Sequence, residues 1–476
     1  MDFIMLANLR YVVIIATLLT LVGCVDETPG QDDVVVIPAM DVEMPVDPAD
    51  MGPSVDAAEP IDSALPPYEG PVFEGESVAC ARNPNLAALA PILNGGRTHP
   101  TGRGEQAAAY DPCHGRIILF GGNDFQPEEC ADFGPKRFQS DTWMYSLEAD
   151  NWARLDIESP PARGRHRMVF DQSRKKMYMF GGRYREQPNA GNYTLFNELW
   201  AFDVNTDTWT QIETEGRGPS PRSNTAMVYD DLNDQVVLYG GNTSNNGLQF
   251  EPKDDTYILD LETMTWREVV GDAPPRRLFH RMVMDGAHGK IVMFGGGHEG
   301  AFTGDFYPNV WAFDLDTETW EQVWTPDRSR GPDRRINPSL VEDRENGKII
   351  LFAGHDETRV GHRNDVWRFD MDNRKWAPVI AGDSGADGEQ CEAFCSCPPD
   401  FVSVDTESPE RRQYHSFVAI HDEQRAILFG GKGDCGYLDD TWSFGYDEGA
   451  WSEIEPAGQG EACMRTGQEG CTDLCY

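Results

Sequence analysis

Positive charge is what this sequence has least of. Against 80 aspartates and glutamates stand 40 lysines and arginines, giving the 476-residue chain a formal net charge of −40. A surface of that sign repels nucleic-acid phosphates, which excludes DNA or RNA as a natural partner. Between Val25 and Ala79 there is no lysine or arginine, but fourteen acidic residues and nine prolines. With like charges and few aromatics, residues 25–79 lack the means to bury a core. They are expected to be a disordered acidic tether, extended to at most ~3.1 Å per residue. Apolar length is missing too. The run from Tyr11 to Val22 after Arg10 falls short of the ~20 residues a membrane-spanning helix needs, so residues 1–24 read as a targeting segment. Paired C-x2-C knuckles are absent among the eleven cysteines, which argues against a structural zinc site.

What is present repeats. Arg116–Gly122 reads RIILFGG, and the same pattern returns at Lys175–Gly182, Gln235–Gly241, Lys290–Gly296, Lys348–Gly354 and Arg425–Gly431. Each copy is a short run of Ile, Val, Met, Leu and Phe or Tyr ending in two small residues, which predicts a fully buried strand followed by an unusual backbone turn. Ala353 replaces the first glycine in one copy, so smallness matters there more than flexibility. Downstream of each run comes Trp143, Trp200, Tyr257, Trp311, Trp367 or Trp442, and about nine residues later Trp152, Trp209, Trp266, Trp320, Trp376 or Trp451. Eleven of the twelve tryptophans occupy these two positions, leaving Trp324 outside the pattern. Upstream, Arg103, Arg163, Arg222, Arg277, Arg335 and Arg412 each open a tetrad before an apolar strand.

With these residues in view, the chain resembles the kelch-repeat β-propellers, such as the central domain of galactose oxidase. The first small residues stand at 121, 181, 240, 295, 353 and 430, somewhat wider apart than the ~50 residues of a usual kelch unit. The fold class implied is all-β: a six-bladed propeller over residues 80–476, with a cysteine-rich tail, preceded by the signal segment and the linker. Four short strands cannot bury both faces alone, whereas units stacked in a ring can. Leu21-Val22-Gly23-Cys24 resembles the bacterial lipobox, which implies cleavage before Cys24 and lipidation of that cysteine. The expected location is then the bacterial cell envelope, anchored by lipid to the outer membrane, facing the periplasm or the cell surface. Ten cysteines remain: Cys80, Cys113, Cys130, Cys391, Cys395, Cys397, Cys435, Cys463, Cys471 and Cys475. An even number in an oxidising compartment implies disulfides.

Calling the strands of one unit A to D, the A–B and C–D turns are short and the B–C and D–A loops long. The longest D–A loop is Ala381–Pro409. Function is expected on the long-loop face. Candidates for binding there are the six tetrad arginines, residues just past the small pairs (Arg183, His298, His355 and Lys432), and Trp324. Aromatic walls with polar groups suit a protein or carbohydrate ligand. No nucleophile–base pair is visible, so a binding or scaffold module is expected, without catalytic residues, metal or cofactor. The alternative is a carbohydrate-active enzyme at the channel mouth. A resemblance to the copper oxidases implies a ligand domain after the propeller, for which this chain has no room. The iron motif of the plant specifier proteins is missing, and the sialate mutarotases are not excluded by motif.

Overall fold

The computed structural model describes residues 78–124, 137–186, 191–247, 249–300, 306–326, 330–356, 361–385, 402–403, 405, 407–433 and 436–457. The expectations for residues 1–77, Cys24, Cys130, Cys391, Cys395, Cys397, Cys435, Cys463, Cys471 and Cys475 lie outside them.

Each apolar run becomes the second strand of a four-stranded antiparallel sheet. In blade 1 the strands A to D are Ala107–Asp111, Arg116–Phe120, Thr142–Ser146 and Asn151–Leu155. Blades 2 to 6 repeat the plan, with A strands at Arg167–Asp171, Ala226–Asp230, Arg281–Asp285, Ser339–Asp343 and Ser416–Ile420. Blade 3 gains a short fifth strand, Glu215–Gly216, parallel to its strand D. The A strands neighbour one another in order, and that of blade 6 lies beside that of blade 1, which closes the ring. The chain is therefore a six-bladed β-propeller.

The glycine pair joins one blade to the next. The N–H of Gly122 donates to Arg163 O, and Gly182, Gly241, Gly296 and Gly354 do the same to the tetrad arginine of the following blade. Gly431 donates to Arg103 O at 2.8 Å, so the sixth junction repeats the other five. The first small residue of each pair has φ between 57° and 75°, and Ala353 fits there at 57°. The second has φ from 91° to 106°, beyond the left-handed region that side chains tolerate, and all six are glycine.

Aromatic packing runs in the same direction. The last residue of strand B, Phe120, Phe180, Tyr239, Phe294, Phe352 or Phe429, meets the strand-D Trp of the next blade with ring centroids 4.7–5.5 Å apart. Tyr257 is buried and packs on Trp266, so blade 3 assembles like its neighbours without a strand-C tryptophan. Of the strand-C indoles, Trp367 and Trp442 are buried, whereas Trp143, Trp200 and Trp311 are only half-buried.

One segment crosses the short-turn face. Val78 N donates to Ser173 O, and Ala81 N to Asn205 Oδ1, both in turns of blade 2. Cys80 is bonded to Cys113 in the first turn of blade 1, one of the disulfides the even cysteine count implied. Asn83 then caps helix α1 (Pro84–Leu93), accepting from Asn85 N. Leu86, Leu89 and Leu93 of this helix pack against the core between blades 1 and 2.

Candidate functional site

The six tetrad arginines were candidates for the mouth, and the structure places them in the wall. All are buried. Each donates Nε to the carbonyl two residues earlier and Nη1 to the first small residue of its own blade, as Arg103 does to Thr101 O and Gly121 O. Five also pair with a carboxylate two residues before the strand-C aromatic: Asp141, Glu198, Asp255, Asp365 or Asp440, at 2.5–2.7 Å. The same carboxylate accepts the indole N–H of Trp143, Trp200, Trp367 or Trp442. Burial alone would raise the carboxyl of Asp365, yet the Arg335 charge and hydrogen bonds hold it down to about 2. These charges are satisfied within the blade and offer nothing to a ligand. Trp324 is likewise core, buried against Trp376.

Two residues beyond each arginine the chain turns into the channel mouth on the long-loop face. Glu105, Arg165, Asn224, Phe279, Asn337 and Tyr414 stand there, all with φ between 51° and 64°. Their backbones form a belt: Glu105 N donates to Tyr414 O, Arg165 N to Glu105 O, Asn224 N to Arg165 O and Asn337 N to Phe279 O. Side chains from blades that are far apart in sequence then meet. Arg165 donates Nε to Glu105 Oε1 and Nη2 to Tyr414 Oη at 3.1 Å, and its guanidinium lies over the rings of Phe279 and Tyr414. Burial works to raise the Glu105 carboxyl, but Arg165 and Arg183 hold it below its usual range.

The rim is uneven. Arg183 donates to Glu105 Oε1 at 2.9 Å, and both Arg183 and Arg185 lie over the Tyr193 ring, 4.1 and 4.4 Å from its centre. Tyr184 and Tyr193 pack beside Phe138, and Tyr193 N reaches the next loop at Asn245 O. Across blades 3 to 6 the mouth is apolar, built from Phe250, Leu278, Phe279, Phe306, Ile336 and Tyr414. His355 stacks on His362 at 5.0 Å, and His362 meets Gln413, which accepts from Asn337. Lys432 is half-buried and pairs through its backbone with Gln413. His298 is half-buried, with Nδ1 accepting from Gly300 N. Arg183 therefore joins the mouth cluster directly, whereas His298 sits in a loop of blade 4 and His355 and Lys432 lie on the extended second strands of blades 5 and 6. No group of three metal-ligating side chains occurs among the described residues.

A family profile described as the KLHDC2/KLHL20/DRC7 kelch-repeats domain matches residues 91–269 and 189–396. The chain belongs to the kelch-repeat family. It is 24% identical over 306 residues to Kelch domain-containing protein 10 of Xenopus laevis, covering 62% of this chain and 66% of that protein. The rat protein of the same name is 23% identical over 306 residues, covering 65% of its length. Mei4-dependent protein 6 of Schizosaccharomyces pombe is 25% identical over 293 residues, covering 57% of this chain and 39% of the yeast protein. The match thus spans less than two thirds of each relative.

Within this kelch ring, the sequence pattern passed over the six mouth residues. Their signal was divergence. RGEQ, RGRH, RSNT, RLFH, INP after Arg335 and RQYH share the arginine, and their third place alone mixes acid, base, amide and aromatic side chains.

Proposed function

We propose that this kelch propeller is a binding module that takes a partner protein on its long-loop face, at the mouth lined by Arg183, Arg185, Tyr184 and Tyr193. The observation that carries this reading is the contrast between scaffold and mouth. Clamps, glycine pairs and stacked aromatics repeat around the ring, but the six residues that meet at the mouth are of five kinds: acid, base, phenylalanine, tyrosine and two asparagines. A fold requires the first; only a ligand gives a reason for the second. Half-buried arginines beside tyrosines combine rigid apolar area with fixed donors, the composition of strong interface positions. The other face is already occupied in part by residues 78–93, through Val78, Ala81 and Cys80.

Export and anchoring through Cys24 fit this arrangement, because residues 78–93 join the ring on the turn face, opposite the proposed binding mouth. The Cys80–Cys113 bridge supports an oxidising compartment. The test is a photo-crosslinking capture from cell-envelope extract with paired variants. Arg183→Ala with Tyr193→Ala should lose the captured partner, while the turn-face variant Asp316→Ala should retain it. Loss only in the turn-face variant would reverse the assignment. For the anchor, Cys24→Ser should move the protein from the membrane fraction to the soluble one, and an unchanged distribution would remove it.

A further inference from the structure

One layer below the mouth, the channel holds positive charge that nothing in the blade repeat explains. The first residues of the six A strands pair with the last residue of strand B: Ala107 with Phe120, Arg167 with Phe180, Ala226 with Tyr239, Arg281 with Phe294, Ser339 with Phe352 and Ser416 with Phe429. They form one level of the ring. Four are small and two are arginines.

Neither arginine makes an ion pair among the described residues. Arg167 donates Nε to Thr225 O at 2.7 Å and Nη1 to His166 O, and Arg281 donates Nη1 to His280 O at 3.2 Å. The acid whose charge reaches Arg167, Glu105, belongs to the level above and is already bonded to Arg165 and Arg183. The two guanidiniums also act across the channel. Burial first, then the charge of Arg167, drives Arg281 well below its usual range. Burial holds His280 of blade 4 and His415 of blade 6 well below the usual histidine range, helped by Arg277 and then Arg167 and Arg281 at His280, and by Arg412 and then Arg281 at His415. Ser416, on the same level, is buried with no hydrogen-bond partner for its hydroxyl. A protein of net charge −40 thus places two arginines without a carboxylate partner on one level of its channel.

Arginine does not shed its proton to escape burial, and carbonyl oxygens do not neutralise it. Two half-buried guanidiniums on one level of the channel, neither with a carboxylate partner, are costly unless a counter-charge is present. We propose that a small oxyanion, of sulfate or phosphate size, sits in the channel beneath the mouth, held between Arg167 and Arg281 with the Ser416 hydroxyl as a further donor. The guanidinium fork matches two oxygens of such an ion. The alanines and serines of the same level leave room for it, and the Glu105–Arg165–Tyr414 cluster closes over it. This site is separate from the protein-binding rim, so either can fail alone.

The test uses the full chain, exhaustively dialysed into chloride buffer, and follows thermal unfolding as phosphate or sulfate replaces chloride at constant ionic strength. The expected result is a saturable rise in Tm, about 3–4 °C once the ion exceeds its Kd a hundredfold, together with near-stoichiometric release of the ion when loaded, desalted protein is denatured. Arg167→Gln with Arg281→Gln should abolish both. If that pair does not fold, Arg281→Lys keeps the charge without the fork, and should raise the half-saturating concentration roughly tenfold by losing about 1.4 kcal/mol of binding. A rise equal in wild type and variants means general salting of the surface, and overturns the proposal. So do an unchanged half-point in Arg281→Lys, or no saturable rise and no released ion in the wild type.

Discussion

Asn309 stands where five blades place a carboxylate, and the consequences are confined to its own blade. Arg277 Nη2 and Trp311 Nε1 are buried without a hydrogen-bond partner. Burial, offset only in part by Tyr239 and Tyr307, brings Arg277 down to about 10. Its guanidinium lies over the Tyr307 ring at 4.4 Å instead. Restoring the acid should supply both missing bonds. Asn309→Asp is therefore expected to stabilise the chain by about 1–3 kcal/mol, read as a rise in the chemical-denaturation midpoint at neutral pH. A drop would mean that the buried carboxylate finds neither donor. The clamp itself was half legible. Six arginines at fixed distance from six glycine pairs marked a repeated structural role, and Asp-x-Trp marked its partner. What the letters did not show is that the two meet, because 28 to 38 residues separate them.

At the level of strands and turns, the sequence was most informative where one element decides its own conformation. Strand B, the Asp-capped A–B turns and the C–D turns fall where the pattern puts them, because burial period and turn chemistry are local properties. Loop contacts escaped because they join residues from different blades. The turns also carry a titratable joint. His288, in the A–B turn of blade 4, contacts Asp285 beside it and Asp372 in the C–D turn of blade 5. Its hydrogen bond to Asp285 outweighs burial, and with the Asp372 contact raises its pKa to about 9. A raised folded-state value means the folded protein holds this proton more tightly than the unfolded chain. The contribution is complete below the ordinary histidine value of ~6.5 and fades as pH rises through 9. Because Asp372 is largely exposed, solvent screening limits it to about 1 kcal/mol or less. Denaturant melts between pH 6 and 9.5 should show a decline that His288→Gln flattens. Parallel curves for both proteins would remove the joint as the cause.

For the whole molecule the question is how a ring of contiguous blades stays closed. Among the described residues no strand is exchanged between blades 1 and 6, so the interlock they show comes from the junction itself. The sixth junction has the same bond from the second glycine as the others, and a core of Ile117, Leu119, Trp152, Ile427 and Phe429. Trp152 Nε1 donates to Thr441 Oγ1 at 3.0 Å, and Arg97 pairs with Glu455 at 2.6 Å. Geometry therefore closes the ring without a covalent link, but the unfolded chain still gains the full entropy of parting its ends. A disulfide across the seam would act on that entropy. The described residues bring its two loops together: Tyr437 Oη donates to Asn123 Oδ1 at 3.0 Å, and these residues flank the stretches that contain Cys435 and Cys130. A Cys130–Cys435 bridge would enclose about 300 residues and stabilise the ring by on the order of 5 kcal/mol through the restricted unfolded state. Non-reducing peptide mapping should yield the Cys130–Cys435 fragment. Reduction should lower the unfolding midpoint while the native near-ultraviolet dichroism stays the same, since the junction's packing does not depend on the bond. If Cys435 is instead recovered bound to Cys391, Cys395 or Cys397, the bridge straps one blade to its neighbouring loop. The seam is then held by its hydrogen bonds and aromatic core alone.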